Sequence, residues 1–211
     1  MRILFQGDSV TDAGRERRDY HQLGNGYPKY AAELIKEAFP EVELEFINQG
    51  ISGNRTSELF DRSSKDLISL QPDIVSVLIG VNDVLHKYCW PENIKVPTTP
   101  QQTEANYRAL LSEIKSRTGA KILMLAPFVL GGERYGVAIP DVRALQPMIK
   151  RLADEFADAF VPLFDHFDKA MVEHPDPLYF TADGVHPNET GARFIASYYA
   201  EAIGPLIKSL I

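Results

Sequence analysis

Ser9, Asp183 and His186 have the side-chain types that acyl transfer needs, and two of them share one short turn. Asp183 and His186 stand three apart in Asp183-Gly184-Val185-His186-Pro187, while Ser9 lies in Gly7-Asp8-Ser9-Val10, directly after the apolar run Ile3 to Phe5. A serine hydroxyl is a weak nucleophile at neutral pH and needs a base. A neutral imidazole serves as that base in only one tautomer. A carboxylate on its Nδ1–H fixes this tautomer and stabilises the imidazolium that forms.

Acyl transfer also needs donors for a tetrahedral oxyanion, and loss of one costs about 10²–10³ in rate. The Ser9 N–H, the Gly53 N–H and the Asn82 side-chain amide are the natural set. They come from the clusters Gly7-Asp8-Ser9, Asn48-Gln49-Gly50-Ile51-Ser52-Gly53-Asn54 and Gly80-Val81-Asn82-Asp83. Glycine at 53 lets the backbone approach a ligand closely, and Asn82 supplies a directed NH₂. Asp8 is expected to order the Ser9 turn by accepting backbone N–H bonds rather than to act as a second base.

Read singly, each cluster has a plain structural meaning. Gly-Asp-Ser is a solvated turn, Asp-x-x-His a loop histidine or half of a metal site, Gly53 a turn and Asn82 a cap. Their joint spacing favours catalysis. Two other readings stay open: a metal-dependent hydrolase built from Asp8, Asp83, Asp183 and His186, and a module whose polar rim only binds a sugar or phosphate. The remaining histidines, His21, His86, His166 and His174, show no comparable arrangement.

Positioning such distant residues requires a sheet. Apolar, β-branched runs at Ile3–Phe5, Val42–Ile47, Ile74–Ile79, Ile122–Ala126 and Phe160–Phe164 alternate with amphipathic segments. That alternation predicts a five-stranded parallel sheet with helices on both faces, a three-layer α/β/α arrangement. Helical period places Ala31, Leu34, Ile35, Ala38 and Phe39 on one face, and Tyr107, Leu110, Leu111 and Ile114 on another. Val142, Leu145, Ile149, Leu152 and Phe156 form a third, and a broad C-terminal face runs from Phe194 to Ile207.

A parallel sheet gathers its strand ends on one rim, where ligands bind, so the first three clusters converge there. The irregular stretches after the third and fourth strands, 88–102 and 127–140, reach the same rim and are candidate pocket walls. Tyr88, Trp90, Phe128 and Tyr135 would give that pocket aromatic faces suited to a sugar.

With 211 residues, 45% of them hydrophobic and 24% charged, the chain suits one globular domain over 1–211. Lys and Arg total 22 against 29 Asp and Glu, a net charge of −7, and no basic cluster interleaves with aromatics. Nucleic acid is therefore not an expected partner. The single cysteine, Cys89, excludes an intramolecular disulfide and any multi-cysteine metal site. No apolar run approaches the ~18 residues of a membrane span, and Met1 and Arg2 pass directly into a strand without a signal-peptide pattern. A cytoplasmic protein is the expectation.

The four ordered blocks resemble those of the SGNH hydrolases, the GDSL lipases and esterases, named for a Ser, Gly, Asn and His. The matching blocks are Gly7-Asp8-Ser9-Val10, Gly50-Ile51-Ser52-Gly53-Asn54, Gly80-Val81-Asn82-Asp83 and Asp183-Gly184-Val185-His186-Pro187. They differ from the G-x-S-x-G elbow of α/β-hydrolases, since Thr11 stands where the second glycine belongs.

The resemblance implies a flavodoxin-like fold, Ser9 as nucleophile, His186 as base, Asp183 as its partner, and an oxyanion hole of Ser9, Gly53 and Asn82. It implies no metal or organic cofactor. Many members carry Arg-Trp downstream of the glycine block, whereas Arg62 here is followed by Ser63.

Within the family the chain is most similar to bacterial intracellular acetylxylan esterases. The resemblance lies in Gly7 to Arg15, Leu23-Gly24-Asn25-Gly26-Tyr27, the glycine and asparagine blocks, and Ala126-Pro127-Phe128. This implies removal of O-acetyl groups from carbohydrate, acetylated xylo-oligosaccharides in particular. A lysophospholipase or acyl thioesterase using the same triad is the alternative. By analogy with the subgroup, a homo-oligomer is expected.

Overall fold

The computed structural model of the protein describes residues 1–89 and 98–211. Five parallel strands, β1 (Arg2–Gly7), β2 (Glu45–Gly50), β3 (Ile74–Leu78), β4 (Lys121–Leu125) and β5 (Ala159–Val161), form one sheet in the order β2-β1-β3-β4-β5. The register sets Gly7 opposite Gly50 on one side and Leu78 on the other. Three strands therefore end at one level, and the polar blocks that follow them start side by side.

Helices cover both faces in a three-layer α/β/α arrangement. On one side α2 (Tyr27–Ala38) packs against α9 (Glu189–Lys208); on the other α3 (Thr56–Asp66), α5 (Pro100–Arg117) and α7 (Ile139–Phe156) pack in sequence. Phe5 of β1 meets Tyr27 of α2 edge-on at 5.9 Å and Tyr199 of α9 at 5.2 Å between ring centroids. Such aromatic pairs hold a strand against its covering helices through area burial and quadrupole geometry.

The expected faces of α5 and α7 pack inward through Tyr107, Leu110, Leu111 and Ile114, and through Val142, Leu145, Ile149 and Leu152. In α2 the buried face is Tyr27, Ala31, Ala32 and Ile35, whereas Leu34 is 40% exposed. Two strand boundaries also differ from the periodicity. β2 begins at Glu45 rather than Val42, because Val42 instead closes a turn on Phe39 through its N–H. β5 stops at Val161, since Pro162 cannot donate to a ladder and caps α8 (Leu163–Ala170).

Three shorter helices lie at the C-terminal rim of the sheet: α1 (Ser9–Asp12), α4 (Val81–Cys89) and α6 (Gly132–Tyr135). Among the described residues no helix is long and apolar enough to cross a membrane.

Candidate active site

β1 ends at Gly7, and Asp8 caps the next helix by accepting the Val10 N–H at 3.0 Å. That cap starts α1 at Ser9 without delay. The Ser9 Oγ lies 2.9 Å from Nε2 of His186, and Nδ1 of the same ring lies 2.7 Å from Oδ2 of Asp183. An ionised carboxylate can only accept, which assigns the ring proton to Nδ1 and leaves the Nε2 lone pair to face the serine hydroxyl.

The other oxygen of Asp183 accepts the backbone N–H groups of Val185 at 3.0 Å and His186 at 2.9 Å. Burial pushes the Asp183 carboxyl up, but the His186 N–H, the imidazole and the Val185 N–H outweigh it and hold its pKa below the ordinary value. Asp183 is thus kept ionised beside the ring it orients.

The turn itself is braced from the loop that follows β4. Leu130 donates its N–H to the Gly184 carbonyl at 2.7 Å, and Gly184 has φ +99°. A Cβ at Gly184 would stand 1.8 Å from the Gly131 carbonyl oxygen, so only glycine lets the two loops meet. Beyond His186, Asn188 caps α9 by accepting the Gly191 N–H at 3.1 Å.

Ser9, Gly53 and Asn82 line one cavity of about 640 Å³ together with Asp183 and His186. Gly53 has φ +83°, a left-handed conformation that other L residues rarely adopt. Asn82 is buried and donates one amide hydrogen to the Asn54 carbonyl at 3.0 Å, leaving its second for a ligand. The neighbouring Asp83 accepts from Thr56 N at 2.9 Å, Thr56 Oγ1 at 2.6 Å and Thr103 Oγ1 at 3.2 Å. These bonds tie the start of α4 to the loop that carries Gly53.

Asp8 is 1% exposed, and burial pushes its carboxyl up to about 7. The Val10 N–H and the charge of His186 oppose that rise, while the nearby Asp83 adds to it. A group this close to neutrality differs from the always-ionised Asp183.

The four aromatics expected in the pocket separate. Tyr135 lines the cavity and stands edge-on to His186, with ring centroids 6.4 Å apart. Phe128 does not line it: the chain turns inward after β4, and Phe128 packs in the core against Phe167 at 4.6 Å. Tyr88 points elsewhere too, its hydroxyl donating to Asp141 Oδ2 at 2.7 Å. Trp90 lies outside the described residues.

Leu85 and Ser52 line the cavity without having been singled out by type or spacing. So does part of the structure behind it: Arg62 donates to Asn54 Oδ1 at 2.7 Å, Gly7 O at 3.1 Å, Gln6 Oε1 at 3.1 Å and Asp66 Oδ2 at 3.2 Å. One guanidinium joins the end of β1 to the glycine block. The sequence singles out Arg62 only through the Ser63 that follows it, and a basic residue four before Asp66 on a helix usually marks a surface pair.

Among the described residues no group of three or more His, Cys, Asp and Glu is placed to hold a metal ion. Asp83 is turned instead to Thr56 and Thr103.

Known proteins carry the same architecture. The sequence pattern of the GDSL-like lipase/acylhydrolase family matches residues 5–194. An acetylxylan esterase from Geobacillus stearothermophilus is 32% identical over 207 residues, covering 96% of this chain and 94% of that protein. Its crystal structure superposes with a TM-score of 0.87 at 31% identity, over 96% of this chain and 94% of the other. A putative GDSL-like lipase from Parabacteroides merdae gives a TM-score of 0.88 at 34% identity, over 96% and 95% of the two chains. The thioesterase 1/protease 1/lysophospholipase L1 of Escherichia coli is 31% identical over 162 residues, 76% of this chain and 68% of that protein. With its sheet order, its four blocks and these relatives, the chain belongs to the GDSL-like lipase/acylhydrolase family and is a carboxylic ester hydrolase.

Proposed function

We propose that the protein removes O-acetyl groups from carbohydrate, with acetylated xylo-oligosaccharides already inside the cell as substrates, through an acetyl-enzyme on Ser9. The observation that carries this reading is the continuous chain from Ser9 Oγ through His186 to Asp183, 2.9 Å and then 2.7 Å, opening on a cavity that also holds Gly53 and Asn82.

In the first step the Ser9 oxygen bonds to the acetyl carbon while His186 Nε2 takes the hydroxyl proton. The carbonyl oxygen becomes an oxyanion held by the N–H groups of Ser9 and Gly53 and by the Asn82 amide. As the bond to the sugar oxygen breaks, His186 returns the proton to that oxygen. Water then repeats the sequence, losing a proton to His186, attacking the acetyl carbon and releasing acetate with Ser9 restored. Asp183 keeps the imidazole in register throughout.

The acetylxylan esterase from Geobacillus stearothermophilus supports the substrate, since it aligns over nearly the whole of both chains. The small residues Ala13, Gly14 and Gly26 line the cavity, and its volume of about 640 Å³ has room for a bulky alcohol group beside Ser9. The Escherichia coli thioesterase and lysophospholipase supports a second reading, long-chain acyl hydrolysis by the same residues.

A panel of acetylated xylo-oligosaccharides and p-nitrophenyl esters from acetyl to C8 and longer, run on wild type and Ser9→Ala, tests both. Acetyl release lost in Ser9→Ala and a higher kcat/KM on acetyl than on long chains are expected. A higher kcat/KM on long chains would replace the first reading with the second, and unchanged turnover in Ser9→Ala would remove Ser9 from the mechanism.

A further inference from the structure

Gly53 is an exposed residue with no side chain to pack, and a Cβ built on it would meet no atom within 4 Å. An oxyanion donor is useful only if it is already aimed when charge develops, because reorientation during the reaction forfeits the stabilisation. Something other than packing must therefore fix the peptide plane that carries the Gly53 N–H.

That plane begins at Ser52, inside a turn closed by the Asn54 N–H on the Ile51 carbonyl at 3.2 Å, and the side chain that anchors Ser52 within this turn is a single carboxylate. Asp12 Oδ2 accepts the Ser52 N–H at 2.9 Å and the Ser52 hydroxyl at 2.9 Å. Arg17 donates to the same oxygen from Nε at 3.2 Å and from Nη2. Asp12 is 2% exposed and lies on α1, three residues after Ser9, so one short helix bears both the serine and the carboxylate. It does not line the cavity.

We propose that Asp12 is a positioning residue for the oxyanion hole, setting the Gly53 N–H at a fixed distance from Ser9 through its two bonds to Ser52. This rests on the reading of Ser9 as nucleophile and Gly53 as an oxyanion donor. Burial pushes the Asp12 carboxyl up, but the Ser52 N–H, Arg17 and the Ser52 hydroxyl outweigh it and hold its pKa below the ordinary value, so the acceptor remains charged and its bonds strong.

The frame around this contact has its own ties. Asn48 Nδ2 donates to the Thr11 carbonyl at 2.7 Å, and Arg15 Nε donates to the Gly50 carbonyl at 3.0 Å. Removing the Asp12 carboxylate therefore leaves α1 seated on β2 and the Ile51–Asn54 turn closed, while the Ser52–Gly53 peptide within that turn loses its side-chain anchor.

The test compares a p-nitrophenyl ester with its thionoester, whose sulfur accepts hydrogen bonds poorly. A displaced Ser9 or His186 slows both substrates alike, whereas a loosened oxyanion hole slows the ester more and narrows the ratio between them. Asp12→Ala is expected to lower kcat on p-nitrophenyl acetate by about 10–100-fold with KM within about threefold, short of the full loss of a donor. The ester-to-thionoester ratio of kcat/KM should fall in parallel, and Asp12→Asn, which can still accept the Ser52 N–H, should recover part of both. Should Asp12→Ala fail to fold, the ratio in Asp12→Asn decides. An unchanged ratio in a folded variant, or an equal fall on both substrates, would overturn the role of Asp12. Retained activity in Ser9→Ala would instead overturn the site reading on which it rests.

Discussion

The Asp183 carboxylate uses both its oxygens on His186. Oδ2 meets the ring at Nδ1, 2.7 Å away, and Oδ1 accepts the backbone N–H of the same residue at 2.9 Å. One side chain thus shapes the turn and orients the imidazole. Asp183→Asn can keep the backbone bonds through its remaining oxygen while presenting an NH₂ to Nδ1. The ring proton then moves to Nε2, which donates to Ser9 instead of accepting from it. A fall in kcat of ~10²–10⁴-fold is expected, with Tm within a few degrees of wild type. Asp183→Ala should lose as much activity and more Tm. Wild-type kcat in Asp183→Asn would mean that the ring does not depend on the carboxylate.

Asp8 predicts a pH dependence of opposite sign to the usual carboxylate. Its pKa rises on folding from 3.8 to about 7, so between these values the folded state holds more protons than the unfolded state. Stability from this group is complete below pH 3.8 and is lost as pH rises towards about 7. Asp8→Asn keeps an oxygen for the Val10 N–H and cannot ionise. The Tm of this variant relative to wild type should therefore climb between pH 5 and pH 8. Thermal melts that stay parallel over that interval would contradict a buried, titrating Asp8. Acetyl-enzyme on Ser9 should remain detectable by mass spectrometry in the variant, as a capping role requires.

The parts of the site that a reader of sequence could find are those where backbone chemistry restricts the residue type. Gly53 and Gly184 need positive φ, Asp183 shares one short turn with the His186 ring it reaches, and the strands must be apolar on both faces. Side-chain direction is not restricted in this way. Phe128, in the loop after β4, and Tyr135, at the end of the α6 that follows it, are equally aromatic, yet one packs on Phe167 and the other borders the cavity. Nothing in the local pattern tells them apart. The roles of Arg62 and Asp12 were unreadable for a related reason, because Gly7 and Ser52, which they hold, lie on other strands and loops and meet them only when the sheet forms.

Arg62 carries a stability prediction. Its guanidinium reaches Gln6, Gly7, Asn54 and Asp66 from a site where the side chain is 14% exposed. Arg62→Ala leaves the Gln6, Asn54 and Asp66 side-chain oxygens partly buried without this donor and Gly7 with only the Ile51 N–H, a loss of about 2–4 kcal/mol. Arg62→Lys should recover less than half of it, since one ammonium cannot span the same fork. Urea denaturation measures both. A loss below about 1 kcal/mol in Arg62→Ala would indicate that water replaces the guanidinium at little cost.

Phe128 and Tyr135 provide a paired test of where the substrate sits. Phe128 is 2% exposed and packs at a tilt on Phe167, so Phe128→Ala opens a core cavity and should cost about 3–5 kcal/mol. Its KM for an acetylated oligosaccharide should stay within about twofold of wild type, because no substrate atom reaches it. Tyr135 is just as buried, at 2% exposure, but it borders the cavity beside His186, so Tyr135→Ala removes part of the cavity wall next to the imidazole. That variant should raise KM for the oligosaccharide several-fold and leave KM for p-nitrophenyl acetate nearly unchanged, since the smaller ester extends less far along the wall. Steady-state kinetics on both substrates, alongside urea melts, separate the two residues. An oligosaccharide KM that rises in Phe128→Ala and holds in Tyr135→Ala would place the sugar on the other side of the β4 loop.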